Sequence, residues 1–594
     1  MTISTSKKTD IIASMFIPAA ISMIFTSLAR FLAGTIDGVI TSKFLGPDAY
    51  SGVSLFAPMV NIILLFATFV SMGCQVLCSV QIGEGKKEEA NAVFSFAVLS
   101  GLFVATIFVL LGLFSPAFLV RICGVKSVDN AEIYNYMMRY LSGYLVGIPA
   151  LILVQVLGPF IVIDNGKKLI TLSALVLFAG DICFDLINVL VFNGGVFGMG
   201  LATSLSLWLQ VGVLCTHFFS GKGYFHISLA GFRVGFLPDI FKNGGLVFLR
   251  TLATILRDLL TNYLNLSLAV TTAAIAAKGI QTDLNTLMFS IGIGISNAVL
   301  PMTAMFYGAD DRRGMKRLFK CFMKTSIVTA GGMGIIMFLG APLITMLYTS
   351  ESEVVSLANF GIRCMAAGLL LDTIGMVFQS YLQGIQRLKL VNFLCFAERF
   401  FIPVAIAFVM GLGFGSKGIL ASIAIGKVVL LIIMFVIICF YKKGLPTKIE
   451  DFMLLDDSFG VEEGAEQYGI VRTIDDAVNI SEEARIFCIE HGWEKRKANH
   501  VALYVEEMST NIVKHGKTKS KAGIYADYRL YLKNGKLYMS LRDYGEAFDP
   551  TKYYEIHKYD DATSNIGIRL VVNQVNKISY TYSFNSNCTM ILME

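Results

Sequence analysis

The chain has 594 residues and a formal net charge of +6, and 55% of its residues are hydrophobic while only 15% are charged. A soluble globular protein carries about 25% charged residues, and the mean hydropathy here is +0.65, so a wholly soluble protein is excluded. The excess positive charge is accounted for by basic loops next to a membrane and does not indicate direct nucleic-acid binding.

Twelve apolar segments between residues 11 and 440 are long enough to cross a bilayer, because a spanning helix needs about 20 mainly apolar residues. From about Gly444 onward, charged residues recur every few positions, as in a soluble protein. We therefore predict an all-α polytopic membrane protein of about twelve helices in two six-helix lobes, followed by a C-terminal α+β domain. The predicted spans are residues 11–33, 53–79, 91–117, 137–162, 169–193, 198–219, 244–266, 276–304, 323–347, 360–383, 391–411 and 418–440.

The basic residues are distributed unevenly between the loops. Loops after even-numbered spans carry pairs such as Lys86/Lys87 and Arg312/Arg313, whereas loops after odd-numbered spans are poorer in Lys and Arg. The positive-inside rule places basic loops in the cytoplasm. We therefore predict a multi-pass protein of the cell membrane with both termini in the cytoplasm, where ATP is available to the soluble tail.

Two loops indicate an internal repeat of the membrane part. A Gly-rich, charged loop begins at Gly83 after the second span, and a similar one begins at Gly308 after the eighth. The halves match six spans apart, which predicts an N-lobe over about 10–220 and a C-lobe over about 240–443. Such repeats favour a carrier with its site between lobes, although a channel can also be duplicated.

Three carboxylates fall in apolar segments of the N-terminal half. Asp37 lies late in the first span, and Asp181 and Asp185 lie four residues apart in the fifth, on one helix face. An ionisable group inside a membrane is a functional candidate. Carboxylates can bind Na⁺ as hard oxygen ligands, and neighbouring carboxylates can also share a proton. The alternative is that Asp37 is a solvated residue at the outer interface.

The C-terminal half contains charges of both signs inside its predicted spans. Asp372 is the strongest functional candidate among them, and the others are equally well explained as mutually neutralised pairs. Glu398 and Arg399 are adjacent, so they cannot face each other on a helix, and we predict that they pair with other spans. The set comprises Arg250, Arg257, Asp258, Lys278, Asp283, Asp372, Glu398, Arg399 and Lys427.

The membrane part resembles the MATE family of multidrug and toxin extrusion antiporters. The resemblance rests on the order of short motifs over residues 10–443, namely Pro18-Ala-Ala-Ile-Ser, Ile36-Asp-Gly, Leu45-Gly-Pro-Asp-Ala-Tyr-Ser-Gly-Val-Ser54, Asp181-Ile-Cys-Phe-Asp185, Gly198-Met-Gly-Leu-Ala-Thr203 and Gly384. It implies an antiporter that exports organic cations or similar amphiphiles in exchange for Na⁺ or H⁺, with a cation site at Asp37 and Asp185. Asp181 departs from the family, which usually has Asn at this position. Asp372 lies where some members carry a carboxylate. Some members also have a Glu in the seventh span, and near that place this chain has Arg250.

The tail begins with an acidic, Gly- and Pro-containing segment, which we interpret as a linker over 444–467. A compact domain is predicted over 468–594. Alternating and helical patterns and an Asn534-Gly535 hairpin turn predict a strand at 470–474, helices at 482–493 and 495–515, strands at 524–532 and 536–541, a helix at 566–576 and a final strand at 589–593.

Three clusters in the tail indicate a nucleotide site. Glu507 and Asn511 share a helix face, and they can polarise a hydroxyl group and ligate Mg²⁺, respectively. Asp543, followed by Gly545 at a strand end, can accept a hydrogen bond from an adenine amino group while the glycine admits close backbone approach. Gly567 lies at a helix start, where backbone N–H groups favour phosphate.

In this order and spacing the clusters resemble the GHKL (histidine-kinase-like ATPase) fold, and most closely the anti-sigma-factor serine kinases. The resemblance implies Glu507 as catalytic base, Asn511 as Mg²⁺ ligand, Asp543 as adenine contact with Thr589 in support, and Gly545 and Gly567 lining ATP. Ala547 and Asn565 replace usual glycines. The implied activity is protein serine/threonine phosphorylation, with a sigma-like or anti-anti-sigma-like partner and a bacterial source; the alternative is a docking domain that binds no nucleotide.

Together these features predict a cation-coupled exporter of drugs or other xenobiotic amphiphiles, working in membrane lipid, with an ATP-binding regulatory tail. ATP does not drive the predicted transport, because no Walker A sequence is present. Two alternatives stay open at this point. One is a receptor whose tail signals in response to a ligand, and the other is a lipid-precursor flippase.

Overall fold

A computed structural model gives the architecture of the chain. The residues it describes are 11–83, 87–125, 131–164, 167–219, 225–226, 234–268, 271–456, 458–462, 464–516, 525–543, 545–546, 548–557, 566–583 and 586–593. Ala547 and Asn565, the two departures from the GHKL pattern, lie outside these ranges.

Helices account for most of the described chain up to residue 442. In the N-terminal half they are α1 (Ile11–Leu45), α2 (Pro47–Leu55), α3 (Ala57–Gly83), α4 (Lys87–Phe114), α5 (Pro116–Ile122), α6 (Ala131–Tyr144), α7 (Ile148–Ile163), α8 (Lys167–Ile187) and α9 (Gly195–Phe219). In the C-terminal half they are α10 (Leu237–Leu268), α11 (Thr272–Gly308), α12 (Arg312–Ser326), α13 (Gly332–Tyr348), α14 (Ser352–Gly384), α15 (Leu388–Phe396) and α16 (Ile402–Lys442).

Each of the twelve predicted spans falls on one or more of these helices. Within the described ranges, nine helical stretches are long and apolar enough to cross a membrane. One of them, Leu388–Lys442, has 55 residues and contains a sharp break at Gly415, whose φ of 57° and ψ of −140° are not helical. That break lies between the last two predicted spans, and glycine tolerates this backbone conformation because it lacks a Cβ.

The tail folds as a five-stranded antiparallel sheet with helices. Its elements are α17 (Ile449–Phe452), β1 (Glu466–Val471), α18 (Ile474–Glu490), α19 (Lys495–His515), β2 (Ala526–Lys533), β3 (Lys536–Asp543), α20 (Pro550–His557), α21 (Ile566–Gln574), β4 (Lys577–Ser583) and β5 (Ser586–Met593). The strand order is β1-β2-β3-β5-β4. The α+β prediction is therefore confirmed, and the predicted Asn534-Gly535 turn joins β2 to β3 with both residues at positive φ.

The start of the tail domain corrects the sequence prediction. The strand predicted at 470–474 ends at Val471, and α18 begins at Ile474, eight residues before the predicted helix. The cause is a capping box, in which Thr473 accepts a hydrogen bond from the Asp476 backbone and the Asp476 side chain accepts one from the Thr473 backbone. Strand β4 and helix α20 are additions that the sequence patterns did not predict.

The sheet of the tail has two distinct faces, because successive side chains of a strand point to opposite sides. One face packs against α18, α19 and α21 in an apolar core that includes Tyr528, Leu530, Met539 and Leu541. The other face carries the alternate residues of the same strands, including Arg529 and Arg542, and both of these arginines are buried.

The chain divides into two compact units. The larger comprises residues 23–296 and 326–440, and the smaller comprises residues 1–22, 297–325 and 441–594. The smaller unit thus contains the tail together with the end of α11 and most of α12.

Candidate functional sites in the two units

The three carboxylates predicted in the N-terminal half lie on two helices. Asp37 of α1 and Asp185 of α8 are neighbours, near enough for their two carboxyl groups to interact. Thr41, one turn along α1, donates a hydrogen bond to Asp37 Oδ1 at 3.3 Å. Asp181 lies one turn before Asp185 and accepts a hydrogen bond from Ser206 of α9 at 3.0 Å. The structure therefore brings Asp37 and Asp185 together and gives Asp181 its own hydroxyl partner.

Asp185 is 1% exposed, and its Oδ1 atom is buried without a hydrogen-bond partner in the described part of the chain. Two carboxyl groups can form a hydrogen bond to each other only when one of them is protonated. Among the described residues, no group of three or more His, Cys, Asp or Glu side chains is arranged to hold a metal ion. The geometry is that of a carboxyl pair with a third carboxyl nearby.

A fourth carboxylate borders this pair. Asp283 of α11 accepts a hydrogen bond from the hydroxyl of Tyr50, and a Cβ on Gly38 would overlap an oxygen of Asp283. Glycine at this position therefore permits α11 to approach α1 beside Asp37. From sequence, Asp283 stood only among the charges of the C-terminal half, and the glycine that directly follows Asp37 was the signal that could have linked the two.

Asp372, the candidate of the C-terminal half, forms an ion pair with Lys427 of α16. Lys427 also lies 3.1 Å from Glu398, which accepts a hydrogen bond from Gln379 at 2.5 Å. As predicted, Glu398 pairs with other helices rather than with its neighbour Arg399. Asp372 thus differs from the N-terminal carboxylates, because a cation faces it. The side chain of Arg250 lies outside the described residues.

In the tail, Glu507 and Gly567 lie against each other. A Cβ on Gly567, the second residue of α21, would overlap the carboxylate of Glu507 on α19. The Glu507 carboxylate is therefore next to the first turn of α21, where free backbone N–H groups attract anions. Asn511 follows Glu507 by one turn on α19, so its side chain lies on the same side of the helix.

Asp543 ends β3 and organises the turn that follows it. The Gly545 backbone donates to Asp543 Oδ1 at 2.7 Å, and the amide of Asn587 donates to the same oxygen at 2.9 Å. Burial raises the pKa of Asp543 above its ordinary value, while these two hydrogen bonds act in the opposite direction. Both hydrogen bonds end on Oδ1.

Asn587 of β5 is the site residue that the sequence analysis missed. Besides contacting Asp543, it donates to the Glu546 carbonyl at 3.0 Å and accepts from the Phe548 backbone at 3.1 Å. Thr589, predicted to support Asp543, lies two residues further along β5 on the same face and is buried. The direct support is thus given by Asn587, which sequence could reveal only once β5 is paired with β3.

Comparison with known families settles which kind of membrane protein this is. The MatE family model matches residues 18–191 and 247–409, which together are more than half of the chain. The chain belongs to the MATE family. Within the tail, the model of the histidine kinase-like ATPase domain matches residues 472–594. The chain is therefore a MATE transporter fused to a GHKL-type domain.

The relatives agree with this assignment. The multidrug export protein MepA of Staphylococcus saprophyticus is 24% identical over 405 residues, covering 67% of this chain and 88% of the relative. MepA of Staphylococcus haemolyticus is 25% identical over 426 residues, covering 69% and 92%. Both alignments cover about two thirds of this chain, and the remaining third is long enough to include the fused tail.

Solved structures show the same fold. An inward-facing multidrug resistance MATE transporter of the MOP superfamily superposes with a TM-score of 0.63 at 21% identity, covering 70% of this chain and 96% of that one. A MOP superfamily transporter from Pyrococcus furiosus, described as having a binding pocket of reverse polarity, gives a TM-score of 0.56 at 20% identity over 73% and 97%. In this MATE chain, accordingly, the Asp37–Asp185 pair lies in the N-terminal half of a transporter fold.

Proposed function

We propose that this MATE chain is a proton-coupled antiporter of the cell membrane that exports organic cations or similar amphiphiles, and that its tail binds ATP and Mg²⁺ to regulate transport. The observation that carries the transport part is the proximity of the carboxyl groups of Asp37 and Asp185, with Asp185 buried. The names of the MepA relatives, which are multidrug export proteins, support export of this substrate class.

The carboxyl pair suits a carrier of protons better than a Na⁺ cage. A single proton held between Asp37 and Asp185 neutralises one charge of a pair that lies inside a membrane, where an unpaired charge is costly. Loss of that proton leaves two adjacent negative charges, which attract an organic cation. Proton and cationic substrate then compete for the same carboxylates, and such competition is sufficient to couple two opposite fluxes.

In the tail, the residues that would hold the nucleotide fit ATP chemically. Asp543 presents an accepting oxygen for an adenine amino group, and the first turn of α21 at Gly567 suits phosphate. Asn511 would ligate Mg²⁺ through its amide oxygen, and Glu507 would act as base toward a hydroxyl group. Bound ATP would supply the phosphoryl group for a serine of a sigma-like or anti-anti-sigma-like partner protein.

The proposed orientation follows from the basic loops. Both termini face the cytoplasm, so the tail meets cytoplasmic ATP and partners. A bacterial plasma membrane is the expected location.

The transport proposal is tested with inverted membrane vesicles that contain the full chain and take up a fluorescent organic cation. An imposed pH gradient should drive uptake, a Na⁺ gradient should not, and Asp37→Asn should abolish uptake. Asp239→Asn makes the same chemical change at an exposed position at the start of α10 and should leave uptake unchanged.

Two results would redirect the proposal. Uptake driven by Na⁺ alone would make the pair part of a sodium site. Substrate-dependent phosphorylation by the tail without any gradient-driven uptake would instead favour a receptor.

A further inference from the structure

The open face of the tail sheet is covered by a turn of the chain's own membrane part. We define the outer sheet face as the residues of β1, β2 and β3 that point away from the helices, namely Tyr468, Asp527, Arg529, Tyr531 and Arg542. They are neighbours across the sheet, since Tyr468 pairs with Arg529 and Asp527 pairs with Arg542. All of the contacts described below lie within the smaller compact unit.

The covering segment is the turn 309–311, which joins α11 to α12. Arg529 donates hydrogen bonds to the carbonyl oxygens of Ala309 at 2.7 Å and of Asp310 at 2.9 Å. Arg542 Nη1 lies 3.1 Å from Asp311 Oδ2. The guanidinium of Arg542 also lies over the ring of Phe306, 4.6 Å from its centroid. Two arginines of the sheet therefore hold both the backbone and the side chain of the turn.

Charge compensation in this contact is complete enough to keep Asp311 ionised. Asp311 is 1% exposed, and burial alone would raise its pKa, but the charges of Arg542 and Arg529 and the hydrogen bond from the Gly314 backbone hold that pKa below its ordinary value. The hydroxyl of Tyr468 donates to the same carboxylate at 3.0 Å. We call this contact between the outer sheet face and the turn 309–311 the joint. A buried carboxylate with this many partners distinguishes it from a chance surface contact.

The linker takes part in the same joint. Phe459 stacks on Tyr307 near the end of α11 with ring centroids 5.1 Å apart, and Glu450 forms an ion pair with Lys316 of α12. Phe459 is buried despite the acidic composition around it. The segment 444–467, interpreted from sequence as a linker, therefore packs against the chain along part of its length.

We propose that the outer sheet face is a docking surface for the turn 309–311, and that this joint couples nucleotide binding in the tail to the C-terminal lobe of the transporter. The link between the two sites is β3. Arg542 contacts Asp311 of the turn from one face of the sheet. Asp543, the next residue, belongs to the proposed nucleotide site on the other face. Helix α11, which ends at the turn, has its earlier residues in the larger unit, and this helix is the connection through which the proposed coupling would act.

The coupling half of this inference rests on the proposed ATP binding, whereas the docking half does not. A coupling free energy is reciprocal. If ATP binding alters the joint, then a change in the joint alters the affinity for ATP by the same factor, and this factor is measurable.

Docking is tested on the full chain in native membranes with a carbodiimide, which joins a carboxylate to an amine only when they are in contact. Lys533 Nζ lies 2.5 Å from Asp310 Oδ2, and both side chains are partly exposed. We expect an amide between residues 310 and 533, detected by mass spectrometry, and its loss in Lys533→Arg, which keeps the charge but not the primary amine.

The ion pair of Lys442, the last residue of α16, with Asp451 of α17 does not involve the turn 309–311 and serves as an internal standard. Absence of the 310–533 amide in a sample that forms the 442–451 amide overturns the docking proposal.

Coupling is tested by titrating the purified full chain with trinitrophenyl-ATP and Mg²⁺. Asp311→Asn is the informative variant, because the asparagine oxygen can still accept from Gly314 and Tyr468 while the charge facing Arg542 is lost. We expect the affinity to change about fivefold or more, the lower end of typical coupling between sites. Asp475→Asn, an exposed change in the first turn of α18, should leave it unaltered.

The outcomes separate the two proposals. Equal affinity of the native chain and Asp311→Asn overturns coupling and leaves nucleotide binding in place. A native chain that binds no nucleotide overturns both the nucleotide function and the coupling, while docking is decided by the cross-link alone. Loss of binding in Asp543→Asn identifies the nucleotide site itself.

Discussion

The membrane part and the tail both bury carboxylates, and they surround them differently. In the N-terminal half of the transporter, Asp37 and Asp185 interact with each other and with the further carboxylate Asp181. In the joint of the tail, Asp311 faces the guanidinium groups of Arg542 and Arg529. Burying a charge without a partner costs several kcal/mol, and removing one partner of a buried ion pair costs at least about 3 kcal/mol. Under the proposed function, we therefore expect the carboxylates that lack a cation to take part in exchange and those that have one to be structural.

Asp372 lies between these two cases. Its ion pair with Lys427 resembles the joint, yet Lys427 is shared with Glu398, so two carboxylates compete for one cation. Variants of single residues distinguish carboxylates that exchange a cation from carboxylates that stabilise the fold, and they follow from the largest expected effect to the smallest.

The largest effect is expected on transport. Asp185→Asn should abolish uptake driven by a pH gradient, a loss of at least about 100-fold, because it removes a carboxyl group of the pair and keeps its shape. Asp181→Asn should retain a measurable fraction of this uptake, since Asp181 already accepts a hydrogen bond from Ser206. The measurement is the initial rate of uptake in vesicles at equal protein levels. Equal losses of uptake in the two variants would contradict the distinction between the Asp37–Asp185 pair and Asp181, which has a hydroxyl partner.

The second effect concerns the stability of the joint. Arg542→Met leaves Asp311 buried without its ion-pair partner and should destabilise the tail by about 3–5 kcal/mol. The double variant with Asp311→Asn should recover much of this loss, since both charges are then absent. Amide hydrogen exchange in β2 and β3 of the full chain reports the local free energy of opening. A double variant no more stable than Arg542→Met would show that the ion pair is not the source of the loss.

A smaller, pH-dependent effect is expected at Asp527, the carboxylate of the outer sheet face. Burial raises the pKa of Asp527 to about 6, against the opposing charge of Arg542, whose Nη1 lies 3.9 Å away. A carboxyl group with a raised folded-state pKa binds protons more tightly in the folded state, so its contribution to stability is lost as pH rises from about 4 to about 6.

Asp527→Asn should therefore stabilise the tail at pH 7 relative to the native chain, by about 1–3 kcal/mol, and the gain should be absent near pH 4. Hydrogen exchange in β2, followed between pH 4 and pH 7, measures the difference. A gain that does not depend on pH would rule out titration of this carboxyl group as its cause.

The smallest effect on stability is expected at Gly567. In Gly567→Ala the new methyl group would displace the carboxylate of Glu507, which can rotate away because it is the end of a flexible side chain. Stability should change by less than about 1 kcal/mol, while phosphoryl transfer from ATP should be lost. Glu507→Gln should reproduce the loss of transfer with nucleotide binding retained. Full transfer by Gly567→Ala would show that Glu507 is not needed at this place.

Local patterns predicted most of the secondary structure of the chain. The apolar spans and the helix 495–515 were found because burial in lipid or on one helix face imposes a regular hydrophobic pattern. The strand predicted at 470–474 was wrong at its end, because the capping interaction of Thr473 with Asp476 outweighs the β-branched residues. Strand β4 at the edge of the sheet was missed although Ile578 and Tyr580 alternate with polar residues in the sequence and Ile578 packs against the core of the tail.

The sequence by itself determined which residues are chemically unusual here: carboxylates in apolar spans, and a Glu, an Asn, an Asp and a Gly at spacings that resemble GHKL motifs. Only the tertiary structure decided their partners. It paired Asp37 with Asp185, placed Asp283 beside Gly38, supported Asp543 with Asn587, and set Arg542 against Asp311, 231 positions away in the chain. Hydropathy and helical periodicity are local properties, whereas an ion pair or a shared proton depends on which distant elements pack together, and no local pattern encodes that choice.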